Sequence, residues 1–141
     1  MAKDIYQRLE QDHREMQQMM GRLSERFDDR TFKKLATELT AHTVAEEKVL
    51  YHAVVKEEPA HQPVLEGYEE HHVAELILRE LKSNQHGTDR WKAKFKVLKE
   101  NVEHHIEEEE STMFSAVREV LPQQEAQKMV SKFESEKRKH H

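Results

Sequence analysis

Apolar residues recur at helical spacing in four long segments, and this periodicity constrains the fold more than any other feature of the chain. The first segment runs from about Asp4 to Phe27, with Ile5, Leu9, Met16, Met20, Leu23 and Phe27 on one stripe and Asp4 placed as an N-cap. The second runs from about Thr31 to Glu57 on Phe32, Leu35, Leu39, Val49 and Ala53, after a short connection at Asp28, Asp29 and Arg30. Pro59 and Pro63 are expected to break it, because proline lacks the amide donor and clashes with the preceding turn. The third runs from about Val64 to His86 through Leu78 and Leu81. Gly87 then stops it, and Thr88 or Asp89 starts the fourth. The fourth runs from about Arg90 to Val120 on Phe95, Leu98, Val102 and Ala116, and ends at Pro122. A short fifth helix, about Gln123 to Arg138, is amphipathic through Met129, Val130 and Phe133. Short connections between long helices predict an all-α, up-and-down four-helix bundle with a short additional C-terminal helix.

Composition supports one domain over residues 1–141, the last few being a tail. The chain has 141 residues with 36% charged and 35% hydrophobic, and only 3 glycines and 3 prolines, too few for a turn-rich β fold. It has no cysteine, which excludes disulfides, thiolate nucleophiles, iron–sulfur clusters and cysteine zinc sites. Any metal must be held by imidazole and carboxylate. The polar N-terminus has no apolar signal core, and no run reaches the length of a membrane span, so the expectation is a cytoplasmic protein with no membrane partner. A net charge of -5 argues against nucleic acid. Lys137 to Lys139 are read as a solvated tail, and the terminal pair His140 and His141 is set aside.

The 11 histidines are the outlying number. His13 lies four residues after Leu9 and three before Met16; His42 follows Leu35 and Leu39; His105 follows Leu98 and Val102. Three helices thus carry an imidazole at a core position. His42 is followed four residues on by Glu46, and His105 by Glu109, so each pair sits one above the other on a helix face. Burying such carboxylates is costly unless they are paired or bound to metal. On the third helix, His71 shares its face with Val64, Tyr68, Leu78 and Leu81, whereas His72 shares a more polar face, so His71 is chosen. His105 is preferred to His104 for the same reason. The predicted metal constellation is therefore His13, His42, Glu46, His71, His105 and Glu109. Imidazole with carboxylate suits non-haem iron, manganese or zinc. Two carboxylates on different helices can bridge two ions, and six protein ligands leave positions open for a small molecule.

Less specific roles are expected elsewhere. Glu47 and Glu110, next to the paired glutamates, are assigned to the solvated face, and His52, His61, His86 and His104 to the surface. Met16, Met19, Met20 and Met113 are core filler. Tyr6, Tyr51 and Tyr68 are core residues that could also lie near the centre, and Trp91 is a packing anchor.

The ordered set of a lone His, HxxxE, a lone His and HxxxE resembles the hemerythrin-like, or HHE cation-binding, family. It is carried by DHRE at His13, HTVAEEKVLY at His42, EEHH at His71 and HHIEEEESTMF at His105, and spans about residues 10 to 115. The resemblance implies a four-helix bundle around two iron ions in an oxo- or hydroxo-bridged centre. It implies dioxygen, peroxide or nitric oxide as the small ligand to be bound or reduced. Iron or oxygen sensing or storage without turnover, and a redox-silent zinc or manganese site, are the competing readings. The oxygen-carrying hemerythrins of marine invertebrates have a second His four residues after the third-helix His. Glu75 occupies that position here, which makes the ligand set less nitrogen-rich than theirs.

Overall fold

The computed structural model describes residues 2–141. Helix α1 is Ile5–Glu25, opened by a capping box in which the Asp4 side chain accepts from the Gln7 amide and Gln7 accepts from the Asp4 amide. Helix α2 is Asp29–Glu46, continued without a break through a π-helical turn, Glu47–Tyr51, and His52–Val54. Helix α3 is His61–Ser83. Helix α4 is Asp89–Glu108, continued through a second π-helical turn, Glu109–Met113, and Phe114–Arg118. Helix α5 is Gln123–Arg138. Asp28 and Thr88 cap α2 and α4 by accepting the amides of Thr31 and Trp91.

Three boundaries differ by three residues from the periodicity, one of them the end of α3 at Ser83 rather than His86. Helix α2 ends near Val54 rather than Glu57. Pro63 does not break a helix but lies in the first turn of α3, where its missing amide would have had no intrahelical partner. Between α3 and α4 the chain turns at Gly87, whose φ of 82° is a conformation that a side chain disfavours.

The π-helical turns also correct the buried stripes. An i→i+5 turn inserts one residue and advances the inward face by one position. Beyond Glu46 the core residues are therefore Leu50, Tyr51 and Val54, while Val49 is only half-buried and Ala53 is exposed. Beyond Glu109, Met113, Phe114 and Val117 take the core, with Ala116 at its margin.

The apolar side chains form two separate clusters. One joins Met16, Met20, Leu23, Phe32, Leu35, Leu78, Trp91 and Leu98. Here Trp91 stacks on Phe95 and donates its indole N–H to the Leu81 carbonyl at 2.9 Å. The other joins Ile5, Leu9, Leu50, Val64, Phe114, Val117 and Phe133. Helices α1 and α3 run from the second cluster to the first, and α2 and α4 run back, which is the antiparallel up-and-down order. Every polar residue of the predicted constellation lies in the layer between the clusters. Helix α5 packs across α1 and α2 on the outside of the bundle. Among the described residues, no helix is long and apolar enough to cross a membrane.

Candidate metal centre

Each of the four long helices brings one imidazole to the middle layer because His13, His42, His71 and His105 continue its apolar stripe. All four are buried, and Glu46 and Glu109 are 0% exposed. His72 and His104, the neighbours passed over in the sequence, face solvent. The six residues form two donor sets: His13, His42, Glu46 and Glu109, and Glu46, His71, His105 and Glu109. Within each set, one ligating atom per residue can be chosen such that all lie within 4.8 Å of one another. The two glutamates belong to both sets.

The Nε2 atoms point at this shared pair of carboxylates. His71 Nε2 is 3.1 Å from Glu46 Oε1, and His42 Nε2 is 3.7 Å from the same oxygen. His13 Nε2 is 3.1 Å from Glu109 Oε1, and His105 Nε2 is 3.5 Å from Glu109 Oε2. The Nδ1 atoms point outward, each to a different carboxylate. His13 meets Glu110 at 2.7 Å, His42 meets Asp12 at 2.8 Å, His71 meets Glu47 at 2.8 Å and His105 meets Glu70 at 2.5 Å. A carboxylate accepts the Nδ1 proton, which fixes the tautomer, leaves the Nε2 lone pair facing the centre and raises its basicity. The ring of contacts is closed: α1 holds the imidazole of α2, α2 that of α3, α3 that of α4, and α4 that of α1.

Polar atoms inside the ring lack partners. Both Glu46 oxygens, Glu109 Oε1 and His13 Nε2 are buried without a hydrogen bond, since the His13–Glu109 approach is not aligned for one. His71 Nε2 and His105 Nε2 lie 3.1 Å apart, so once both Nδ1 protons are given outward, a proton or a cation must stand between the two lone pairs. Each unsatisfied buried group costs about 1–3 kcal/mol. A cation in each donor set would satisfy them all, and neutral imidazole with ionised carboxylate is the donor chemistry such a cation requires.

Proton equilibria without a metal show the same tension. Burial and the Glu109 charge push the Glu46 carboxyl well above its usual range. Burial acts the same way on Glu109, but His105 and His13 outweigh it and hold its carboxyl well below the usual range. Burial alone would lower His13 and His105, yet their carboxylate partners raise them to about 9 and about 10. Burial dominates at His42, lowered to about 4, and at His71, also lowered. Without a metal, His13 and His105 are thus held as imidazoliums around the ionised Glu109 carboxylate, while Glu46, His42 and His71 are pushed toward their neutral forms.

The Hemerythrin HHE cation binding domain profile matches residues 3–117, which contain every residue of both donor sets. The chain belongs to the hemerythrin HHE cation-binding domain family. It is also 30% identical over 108 residues to a protein of Nostoc sp. (strain PCC 7120) called a DNA nickase. That similarity covers 77% of this chain but only 30% of the relative, so the chain spans about a third of that protein's length. No solved structure matches the chain.

Several residues of this HHE domain escape a sequence reading. Glu47 and Glu110 are not solvated-face residues: each is half-buried and holds an imidazole. Asp12 and Glu70, which hold His42 and His105, carry no inward spacing signal. Their only sequence mark is that each immediately precedes an inward histidine. Tyr51 lies against the centre, donating to Glu109 Oε2 at 2.5 Å and stacking on His71 with ring centroids 5.2 Å apart. Glu75 stays outside both donor sets, 41% exposed and paired with Arg79. His86 is not a plain surface residue either, since it is half-buried against Phe32 and bonded to Asp29.

Proposed function

We propose that this HHE domain holds two iron ions in an oxo- or hydroxo-bridged pair and binds or reduces a small oxidant: dioxygen, peroxide or nitric oxide. His13 and His42 would hold one ion, His71 and His105 the other, with Glu46 and Glu109 shared between them. The observation that carries this reading is the pair of overlapping donor sets. Four protein atoms per ion fall short of an octahedral shell and leave room for an exogenous ligand. The void beside the imidazoles has a volume of only about 20 Å³ and is roofed by Met16, Leu39, Ala74, Val102 and Ile106. A water needs roughly 10–15 Å³ by the same measure, so the space suits molecules of about that size.

A bound iron pair supplies adjacent one-electron couples in a dry pocket. The protein's own part is to orient the imidazoles through the outer carboxylates and to keep bulk water out. It also stations one proton beside the centre: burial and the Glu109 charge raise the Tyr51 hydroxyl well above its ordinary range, so it stays protonated on the shared carboxylate. The nicking activity named for the Nostoc relative is not part of this reading. The donors are buried between two apolar clusters and the chain carries a net charge of -5, and both features favour a small ligand over a DNA phosphate.

Aerobically purified, iron-loaded protein should show near-ultraviolet absorption of a bridged ferric pair and should consume peroxide or nitric oxide. His71→Ala should lose both properties. Loaded protein that absorbs as expected but consumes neither would favour a sensor or store. A colourless protein containing zinc would contradict the proposal.

A further inference from the structure

The four outer carboxylates look alike from the centre, but different charges stand behind them. Asp12, which holds His42, accepts Arg8 Nη1 at 2.6 Å and Lys137 Nζ at 2.9 Å on its other oxygen. Glu110, which holds His13, accepts from Arg14. Glu47 and Glu70, which hold His71 and His105, have no lysine or arginine within ion-pair distance among the described residues. The further neighbour of Glu70 is His104, 4.0 Å away and 67% exposed. Every cation at the outer ring therefore stands on the His13/His42 side.

Lys137 is the most unexpected of these cations. It belongs to α5, which lies beyond the residues that match the family, and its position near the chain end predicts a solvated tail. Instead it is 8% exposed, and its ammonium group is shared between Asp12 and Glu38, the latter at 3.0 Å. One turn earlier, Phe133 meets the His42 ring edge-on at 5.8 Å. Helix α5 thus seats its buried amine on the carboxylate behind a candidate ligand.

A carboxylate with no counterion draws the Nδ1 proton strongly and makes the imidazole a better donor. A carboxylate already neutralised by ammonium and guanidinium draws it less. The cations also raise the electrostatic cost of a higher charge on a nearby ion, an effect that screening by water weakens little in a buried layer.

Building on the di-iron reading above, we infer that Lys137 is a positioning residue acting through Asp12 and His42. It makes the His13/His42 position the more electron-poor of two positions whose ligand types are the same. The first electron given to the oxidised pair by an added reductant therefore rests at the His13/His42 position, converting one ferric ion there to ferrous.

The test uses the full iron-loaded chain, enriched in the Mössbauer isotope of iron and titrated with dithionite. Wild-type protein should take up two electrons in separate steps, with two unequal iron signals. Lys137→Met keeps the aliphatic stem but removes the charge. It should lower the first reduction equilibrium about tenfold, ~59 mV for one electron, and shift one iron signal while leaving the other. Lys137→Arg should restore the wild-type values. Arg8→Met removes the other cation from Asp12 and should move the same signal, which keeps the test decisive if Lys137→Met does not fold. Two bound irons with steps that ignore both methionine substitutions would overturn the inference alone. So would equal movement of both signals, or a Lys137→Arg variant that matches Lys137→Met. Fewer than two irons in the wild-type chain would overturn the di-iron reading and this inference with it.

Discussion

Tyr51 reaches across from α2 to donate its hydroxyl proton to Glu109 on α4 at 2.5 Å. The contact depends on the π-helical turn after Glu46, which brings the residue five positions on to the glutamate's own face. It also depends on Gly67 of α3. A Cβ there would lie 2.7 Å from the Tyr51 hydroxyl and 2.6 Å from Met113 Cε. The methionine tip can move, but the tyrosine ring, held at both ends, cannot yield easily.

Gly67→Ala is therefore expected to destabilise the bundle by about 1–3 kcal/mol, the usual range for overpacking a core. Tyr51→Phe removes the hydroxyl and should relieve part of that loss in the double mutant. Urea unfolding of the two single variants and the double variant measures this, and strictly additive effects would contradict the proposed clash.

The outer ring should matter almost as much as the inner one. Asp12→Ala, Glu47→Ala, Glu70→Ala and Glu110→Ala each release one Nδ1 proton from its acceptor and leave an imidazole free to turn. Each is expected to weaken metal binding about 10–100-fold. Competition with a chromophoric chelator reads this. Wild-type affinity in the Glu47 and Glu110 variants would mean that they are solvated-face residues after all.

The inner residues divide by how many donor sets they join. Glu46→Ala removes an oxygen from both sets and should abolish binding of both ions, whereas His13→Ala touches only one set. His71→Ala should lose metal, and the exposed His72→Ala should keep it. Metal content by elemental analysis of each variant distinguishes these outcomes, and loss in His72→Ala but not His71→Ala would mean that the inward face of α3 is displaced by one residue, about 100° of rotation.

Acid and alkali should act on the metal-free protein through different histidines. His13 and His105 are raised, so their stabilisation is complete below the ordinary value of 6.5 and is lost as the pH rises through about 9 and 10. His42 is depressed to about 4, so it contributes stability above 6.5 that is lost as the pH falls toward 4. Metal-free protein should thus melt highest near neutrality. In metal-loaded protein the imidazoles are already neutral, so the alkaline decline should be absent, and the melting temperature should be higher except toward pH 4, where protons displace the metal. Thermal unfolding by circular dichroism across this range is the measurement. Equal melting temperatures with and without metal would mean that the imidazoles and carboxylates satisfy one another.

The inner half of this site is written in the sequence because its residues interrupt apolar stripes. His13, His42 and His105 keep the helical phase of Leu9, Leu39 and Val102, and burial follows phase. The outer half obeys no such rule. Glu47 lies about 100° around the helix from Glu46, where a solvated residue and one bonded to the neighbouring helix look alike. Only the packing of α3 against α2 makes it the partner of His71. The π-helical turns are silent for a similar reason: one inserted residue shifts the stripe from Val49 to Leu50 without any residue type that marks it. Lys137 is read as tail because charge and terminal position outweigh a periodicity that Met129 and Phe133 carry for little more than a turn.

If two iron ions sit between the four histidines and are bridged by the two shared glutamates, the number of irons per chain must follow. Elemental analysis of fully loaded, desalted protein at known protein concentration reads that number. Wild-type chains should hold two irons each, with a sharp fall in His42→Ala and His105→Ala and none left in Glu46→Ala. A single tightly bound metal per wild-type chain, or two that survive Glu46→Ala, would contradict the shared-glutamate centre.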